Sequence, residues 1–120
     1  YVRIFEESRM DFLEQADISY VKIESAGLYV PILSVECHYK KPLTFNEQFA
    51  VYPMITKFNG VVLDIDYRIV SRVTGELCIT GKSSQCFTDT NLKPVRTKHK
   101  YPEIYNALSQ YVNYEVTDRQ

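Results

Sequence analysis

The stretch YVRIFEESRMDFLEQAD, Tyr1 to Asp17, decides how the chain folds. At about 100° per residue, Tyr1, Val2, Phe5, Phe12, Leu13 and Ala16 fall on one side of a helix, and Arg3, Glu7, Asp11, Glu14 and Asp17 fall opposite. The spacing predicts an amphipathic helix over 1–17 whose apolar stripe faces a core. Arg9 lies inside that stripe, where a guanidinium must be paired or must snorkel past its neighbours. Glu6, one turn earlier, is the nearest partner by spacing. Two readings of Arg9 stand: a structural ion pair, or an arginine that orients a site beside the helix. No Ser, Thr, Asp or Asn precedes the helix, so the sequence is expected to be truncated at its N-terminus.

Beyond the helix the period changes. Residues 18–27 read as a connection ending at Ala26-Gly27, and Leu33, Val35, Cys37 and Tyr39 then alternate with Ser34, Glu36 and His38 as a half-buried strand. Pro31 suits the start of that strand. Three longer runs follow, Phe49–Phe58, Val61–Arg72 and Glu76–Phe87, parted by Asn59-Gly60 and Thr74-Gly75. Asn-Gly predicts a tight type I′ hairpin. In the middle run Val61, Leu63, Ile65, Tyr67 and Ile69 point one way, and Asp64, Asp66, Arg68 and Arg72 the other. Strands of this length outreach the helix and can curl around it. The fold class is therefore α+β, one long helix wrapped by an antiparallel meander, in a single domain over 1–120. A polar, basic loop over 88–100 leads to a short helix opening at Pro102-Glu103, with Ile104, Leu108, Tyr111 and Val112 on one face.

Composition excludes several classes. With 14 basic against 15 acidic residues there is no electrostatic footprint for nucleic acid, and no apolar run approaches the roughly 20 residues that cross a membrane. Cys37, Cys78 and Cys86 are odd in number and scattered, suggesting neither a disulfide framework nor a zinc site; a reducing cytoplasm fits. No metal or cofactor is implied. Only His38 and His99 could serve a nucleophile as base, and both sit in polar surroundings, which argues against a triad. Asp64 and Asp66 share a strand face with Arg68 and read as a solvated charge ladder rather than a catalytic pair. Gly81 lies inside a strand, where glycine signals a bulge, a close backbone approach or a nearby ligand.

The helix Tyr1-Val2-Arg3-Ile4-Phe5-Glu6-Glu7-Ser8-Arg9 running to Phe12-Leu13, the stretch Tyr39-Lys40-Lys41-Pro42, the meander, and Thr80-Gly81 leading to Cys86-Phe87-Thr88-Asp89 together resemble the hot-dog fold acyl-CoA thioesterases. The resemblance is to the 4-hydroxybenzoyl-CoA thioesterase-like, YbgC-type group, and it covers nearly the whole chain. It implies hydrolysis of an acyl- or aroyl-CoA, or of an acyl carrier protein thioester, by a homodimer or homotetramer with each active site between subunits. A cystatin-like helix and meander is the alternative fold, and a non-catalytic acyl-CoA-binding or scaffolding dimer the alternative function. In this family the catalytic aspartate precedes the helix, so the resemblance places it, with the first strand, ahead of Tyr1. Some relatives carry a glutamate on the helix instead, and Glu6 is the residue that would take that role. Polarisation of the carbonyl by backbone N–H groups at the helix start would put the reaction near Tyr1 to Arg3. For the ligand, Gly81 and Ser83 offer a narrow strand for a pantetheine arm, and Lys82, Lys93, Arg96 and Lys98 offer cations for its phosphates. Tyr1 completes the expected substrate-binding set.

Overall fold

The computed structural model describes residues 2–15, 20–42 and 48–114. Helix α1 spans Val2–Gln15. Phe5, Phe12 and Leu13 are buried, while Arg3, Glu7, Asp11 and Glu14 are exposed, as the helical wheel predicts. Tyr1, Ala16 and Asp17 lie outside the described residues. Arg9 is 5% exposed, so the stripe does carry a buried guanidinium. Among the described residues no buried side-chain nitrogen or oxygen lacks a hydrogen-bond partner. The partner expected from spacing is not used: Glu6 is exposed and forms no ion pair with a described residue.

The connection expected after α1 contains a second helix, α2, Tyr20–Ser25. Gly27, at φ 82°, ends it. The Leu28 N–H donates to Ile23 O and the Gly27 N–H to Glu24 O, the paired bonds of a Schellman cap, and the apolar contact such a cap favours falls between the buried Ile23 and Leu28.

Strands β1 (Ile32–Tyr39), β2 (Phe49–Phe58), β3 (Val62–Ser71) and β4 (Leu77–Cys86) form one antiparallel sheet of order β1-β4-β3-β2. Leu63, Ile65, Tyr67 and Ile69 of β3 are buried on the inner face with Ile79, Gly81, Ser83 and Gln85 of β4. The opposite face carries cross-strand rows of charge. Glu36 pairs in register with Lys82, and Lys82 with Asp66; the Arg68 guanidinium lies 5.4 Å from the Tyr52 ring centre. Alternating sign across neighbouring strands is favourable, and this solvated ladder is what Asp64, Asp66 and Arg68 belong to.

The two edges of the sheet differ. On β2, Pro53 has no N–H to offer, and the C-terminal segment lies alongside: Val112 bridges Ile55, and the Asn113 N–H donates to Ile55 O. On β1, no described segment pairs with the outer edge, and Leu33 and Tyr39 are 58% and 69% exposed.

The Asn59-Gly60 turn is not type I′. Gly60 has φ 93°, but Asn59 is not in the left-handed region, which type I′ would require. The Asn59 side chain instead accepts from the N–H groups of Val61 and Val62, so the loop is a side-chain-closed turn one residue longer than expected. After β4 come a four-residue helix α3 (Thr97–Lys100), within the stretch expected to be loop, and α4 (Pro102–Ser109), with Pro102 in its first turn. Leu108 is buried, and Tyr111 meets Phe12 edge-on at 5.6 Å.

Candidate active site

The amino-terminal half of α1 is fixed to the sheet through Phe5. Its ring stacks on Tyr67, with centroids 4.6 Å apart and planes 20° from parallel. Tyr67 is the cross-strand partner of Gly81, and a Cβ built on Gly81 would lie 2.4 and 2.5 Å from two Phe5 ring carbons. Gly81 therefore has no side chain because Phe5 occupies that space. No register shift falls at Gly81 in either of its pairings, so the glycine does not mark a bulge.

Tyr67 is in turn held from below. Gln85 Nε2 donates to Leu63 O at 2.5 Å, which leaves its amide oxygen facing Ser83. The Ser83 hydroxyl donates to that oxygen at 3.0 Å, so the 2.8 Å contact between the Tyr67 and Ser83 hydroxyls has tyrosine as the donor. Tyr67, Ser83 and Gln85 are all buried, and the chain of donors runs one way.

The other predicted binding residues lie elsewhere. Lys82 points to the opposite, solvent-facing side of the sheet from Gly81 and Ser83. Lys93, Arg96 and Lys98 are exposed beyond the end of β4, and Phe87, where that segment starts, is about 20 Å along the strand from Gly81 at ~3.3 Å per residue. The structure thus gathers Lys93, Arg96 and Lys98 with His99 and Lys100 into one basic segment and separates them from the narrow part of the strand. Glu6 is exposed on α1. Tyr1 lies outside the described residues.

The backbone beneath the basic segment is pinned at both ends. Asp89 Oδ1 accepts from the N–H groups of Asn91 and Lys93 at 2.8 and 3.0 Å, around Leu92 at φ 62°. The bond from the Lys93 N–H is the main reason that the Asp89 carboxyl titrates below its ordinary value; the Asn91 N–H and the charges of Lys93 and Lys100 add to it. At the far end the buried Thr97 donates from both its N–H and its hydroxyl to Gly60 O, at 2.9 and 2.6 Å. The Lys98 ammonium lies 5.9 Å from the Tyr105 ring centre. Across the same hairpin is an open cleft of about 320 Å³ lined by Lys57, Phe58, Asn59, Val62 and Asp64, none of them among the predicted binding residues. Sequence reasoning missed Phe5 and Tyr67 as the partners of Gly81. The available signal was an aromatic on the apolar stripe of the helix together with a mid-strand glycine.

Comparison with known proteins bears on this arrangement. The sequence profile of the thioesterase-like superfamily matches residues 1–112. A Bacillus subtilis protein named “Putative acyl-CoA thioesterase YneP” is 28% identical over 111 residues, spanning 92% of this chain and 80% of that one. A Staphylococcus aureus structure described as a DHNA-CoA thioesterase superposes with a TM-score of 0.85 at 26% identity, covering 92% of this chain and 74% of that one. A Synechocystis 1,4-dihydroxy-2-naphthoyl-CoA thioesterase shares the fold, with a TM-score of 0.77 at 16% identity over 90% of this chain and 78% of its own. These matches leave no room for the cystatin-like alternative: the chain has the hot-dog fold and belongs to the thioesterase-like superfamily.

Proposed function

We propose that this chain hydrolyses a thioester, on coenzyme A or on an acyl carrier protein, to a free acid and a thiol, within the YbgC-type, 4-hydroxybenzoyl-CoA thioesterase-like group. The observation that carries the reading is the similarity to YneP across 92% of the chain, supported by the 0.85 superposition on a protein described as a CoA thioesterase. In this reading the thioester carbonyl meets the amino-terminal end of α1. There the first-turn N–H groups lack acceptors within the helix and carry the positive end of its dipole. They take up negative charge on the carbonyl oxygen as a water or a carboxylate attacks the carbon. Lys93, Arg96 and Lys98 attract the phosphates of the thiol carrier. The working unit is a homodimer, or a dimer of dimers, paired through the open edge of β1. Three free thiols and the absence of a membrane-length apolar helix among the described residues agree with a cytoplasmic setting.

The test is thiol release from a panel of acyl- and aroyl-CoA thioesters by the gene product, with CoA binding measured calorimetrically. Turnover on one of them at a kcat/KM of about 10⁴ M⁻¹s⁻¹ or more supports hydrolysis. Binding of CoA without thiol release overturns it in favour of the non-catalytic, acyl-CoA-binding dimer. Glu6→Gln decides the attacking group: a fall in kcat of about 10²-fold or more assigns the role to Glu6, and full activity assigns it to another carboxylate. Sedimentation at micromolar concentration showing monomer alone removes the β1 pairing.

A further inference from the structure

The geometry points to Gly81 as a positioning residue for the amino-terminal turn of α1: a strand position kept bare so that Phe5 seats on the sheet and fixes where the helix begins. The inference rests on the hydrolytic reading above, because it matters only if the start of α1 meets the reacting carbonyl.

Phe5 is the fourth residue of α1, so its ring and the first-turn N–H groups move as one rigid piece. The ring has no slack. Gly81 lies beneath it at a distance no Cβ could occupy, and the stacked Tyr67 ring lies against it. Tyr67 cannot retreat without breaking the buried bonds that run through Ser83 and Gln85 to the backbone of Leu63. The backbone oxygen of Glu36 would lie 3.1 Å from the same added Cβ, which closes the way out along the strand pair. A methyl group at position 81 must therefore push Phe5 away from the sheet, and the first turn of α1 goes with it. Displacements of about 1 Å at a reacting centre cost up to ~100-fold in rate. Gly81 itself touches no substrate: it acts through Phe5.

The test is Gly81→Ala, Phe5→Leu/Gly81→Ala and Phe5→Ala, each assayed well below its own Tm, with hydrogen exchange followed at the α1 amides by mass spectrometry. Gly81→Ala is expected to lower kcat by ~10- to 100-fold with KM within about 2-fold, and to speed exchange at the amides of residues 6–9, which donate to the first-turn carbonyls of α1. The double variant, in which a branched side chain leaves room for the methyl group, is expected to recover most of kcat and the slow exchange. Three results overturn the inference: a wild-type kcat in Gly81→Ala, a raised KM with unchanged kcat, which would make Gly81 part of the binding surface, or failure of Phe5→Leu to rescue a folded Gly81→Ala. If Gly81→Ala does not fold, Phe5→Ala decides. It removes the ring while leaving Gly81, and a wild-type kcat there overturns the inference. No turnover by the wild-type protein on any thioester sinks the hydrolytic reading instead, and with it any catalytic role for Gly81; the exchange arm then reports only whether Gly81 seats the helix.

Discussion

Under the first turn of α1 the side chains are closed off from water: Phe5, Tyr67, Ser83 and Gln85 are buried, stacked or hydrogen-bonded in a single arrangement. Along 93–100 the reverse holds, with cations exposed above a backbone tied at its ends by Asp89 and Thr97. The first construction leaves its side chains little room to move and suits a place where geometry sets a rate. The second suits capture of charge, since the attraction between exposed ions falls gradually over roughly 10 Å and tolerates mobile side chains. One region is expected to respond to mutation through stability and kcat, the other through KM and salt.

Tyr67→Ala tests the buried side most severely. It removes the stack on Phe5 and the hydroxyl donor to Ser83, and is expected to cost about 3–5 kcal/mol in denaturant unfolding. A loss below about 1 kcal/mol would show that the seat is looser than its contacts imply. Gln85→Leu is next, at about 1–3 kcal/mol, because it takes the side-chain donor from Leu63 O and the acceptor from the Ser83 hydroxyl. Adding Tyr67→Phe and Ser83→Ala to Gln85→Leu is expected to recover part of that loss, since an all-apolar site has no orphaned donor; strictly additive losses would refute the one-way chain of bonds.

On the exposed side, neutralising Lys93, Arg96 and Lys98 together is expected to raise KM for an acyl-CoA about 10-fold at low ionic strength, with kcat nearly unchanged. The effect is expected to shrink as salt is added. An unchanged KM at low salt would remove the segment from the binding surface. The smallest effect belongs to Asp89. Its carboxyl is held below the ordinary 3.8, so its contribution to stability is complete above that pH and is lost as pH falls through the lower folded value. Asp89→Asn is expected to remove a slight acid-induced fall in Tm between those values, and an identical pH profile in the variant would show that the turn does not depend on the charge.

Much of this was legible in the sequence. The helical wheel placed Phe5, Phe12, Leu13 and Arg9 on the buried side, and the alternation in Leu63, Ile65, Tyr67 and Ile69 gave the inner face of β3, because both periods come from local backbone geometry. The misses turned on what particular side chains touch rather than on backbone period. Residues 20–25 have β-branched members that weaken a helical reading, and their helix end is marked by Gly27 with the buried Ile23 and Leu28 on either side of it. Asn59-Gly60 carries the usual hairpin pair, yet side-chain acceptance by Asn59 selects another turn. Gly81 was visible as an anomaly and ambiguous as a cause, since its partner stands 76 positions earlier in the chain. For the candidate site, the loop cations fall together as their spacing along the chain suggests, but farther from Gly81 and Ser83, which face inward, than that spacing implies.

The unequal edges of the sheet limit how this protein can assemble. In the proposed dimer, pairing through β1 would consume that edge in both copies at once, since each strand would serve as donor and acceptor for the other. What remains outward is a β2 edge at either end, interrupted by Pro53 and occupied at Ile55 by the C-terminal segment. Such an edge offers a poor template for a third sheet. If two copies pair as proposed, the described part of the sheet favours a ladder that ends after one addition, a finite particle rather than the first segment of a fibre.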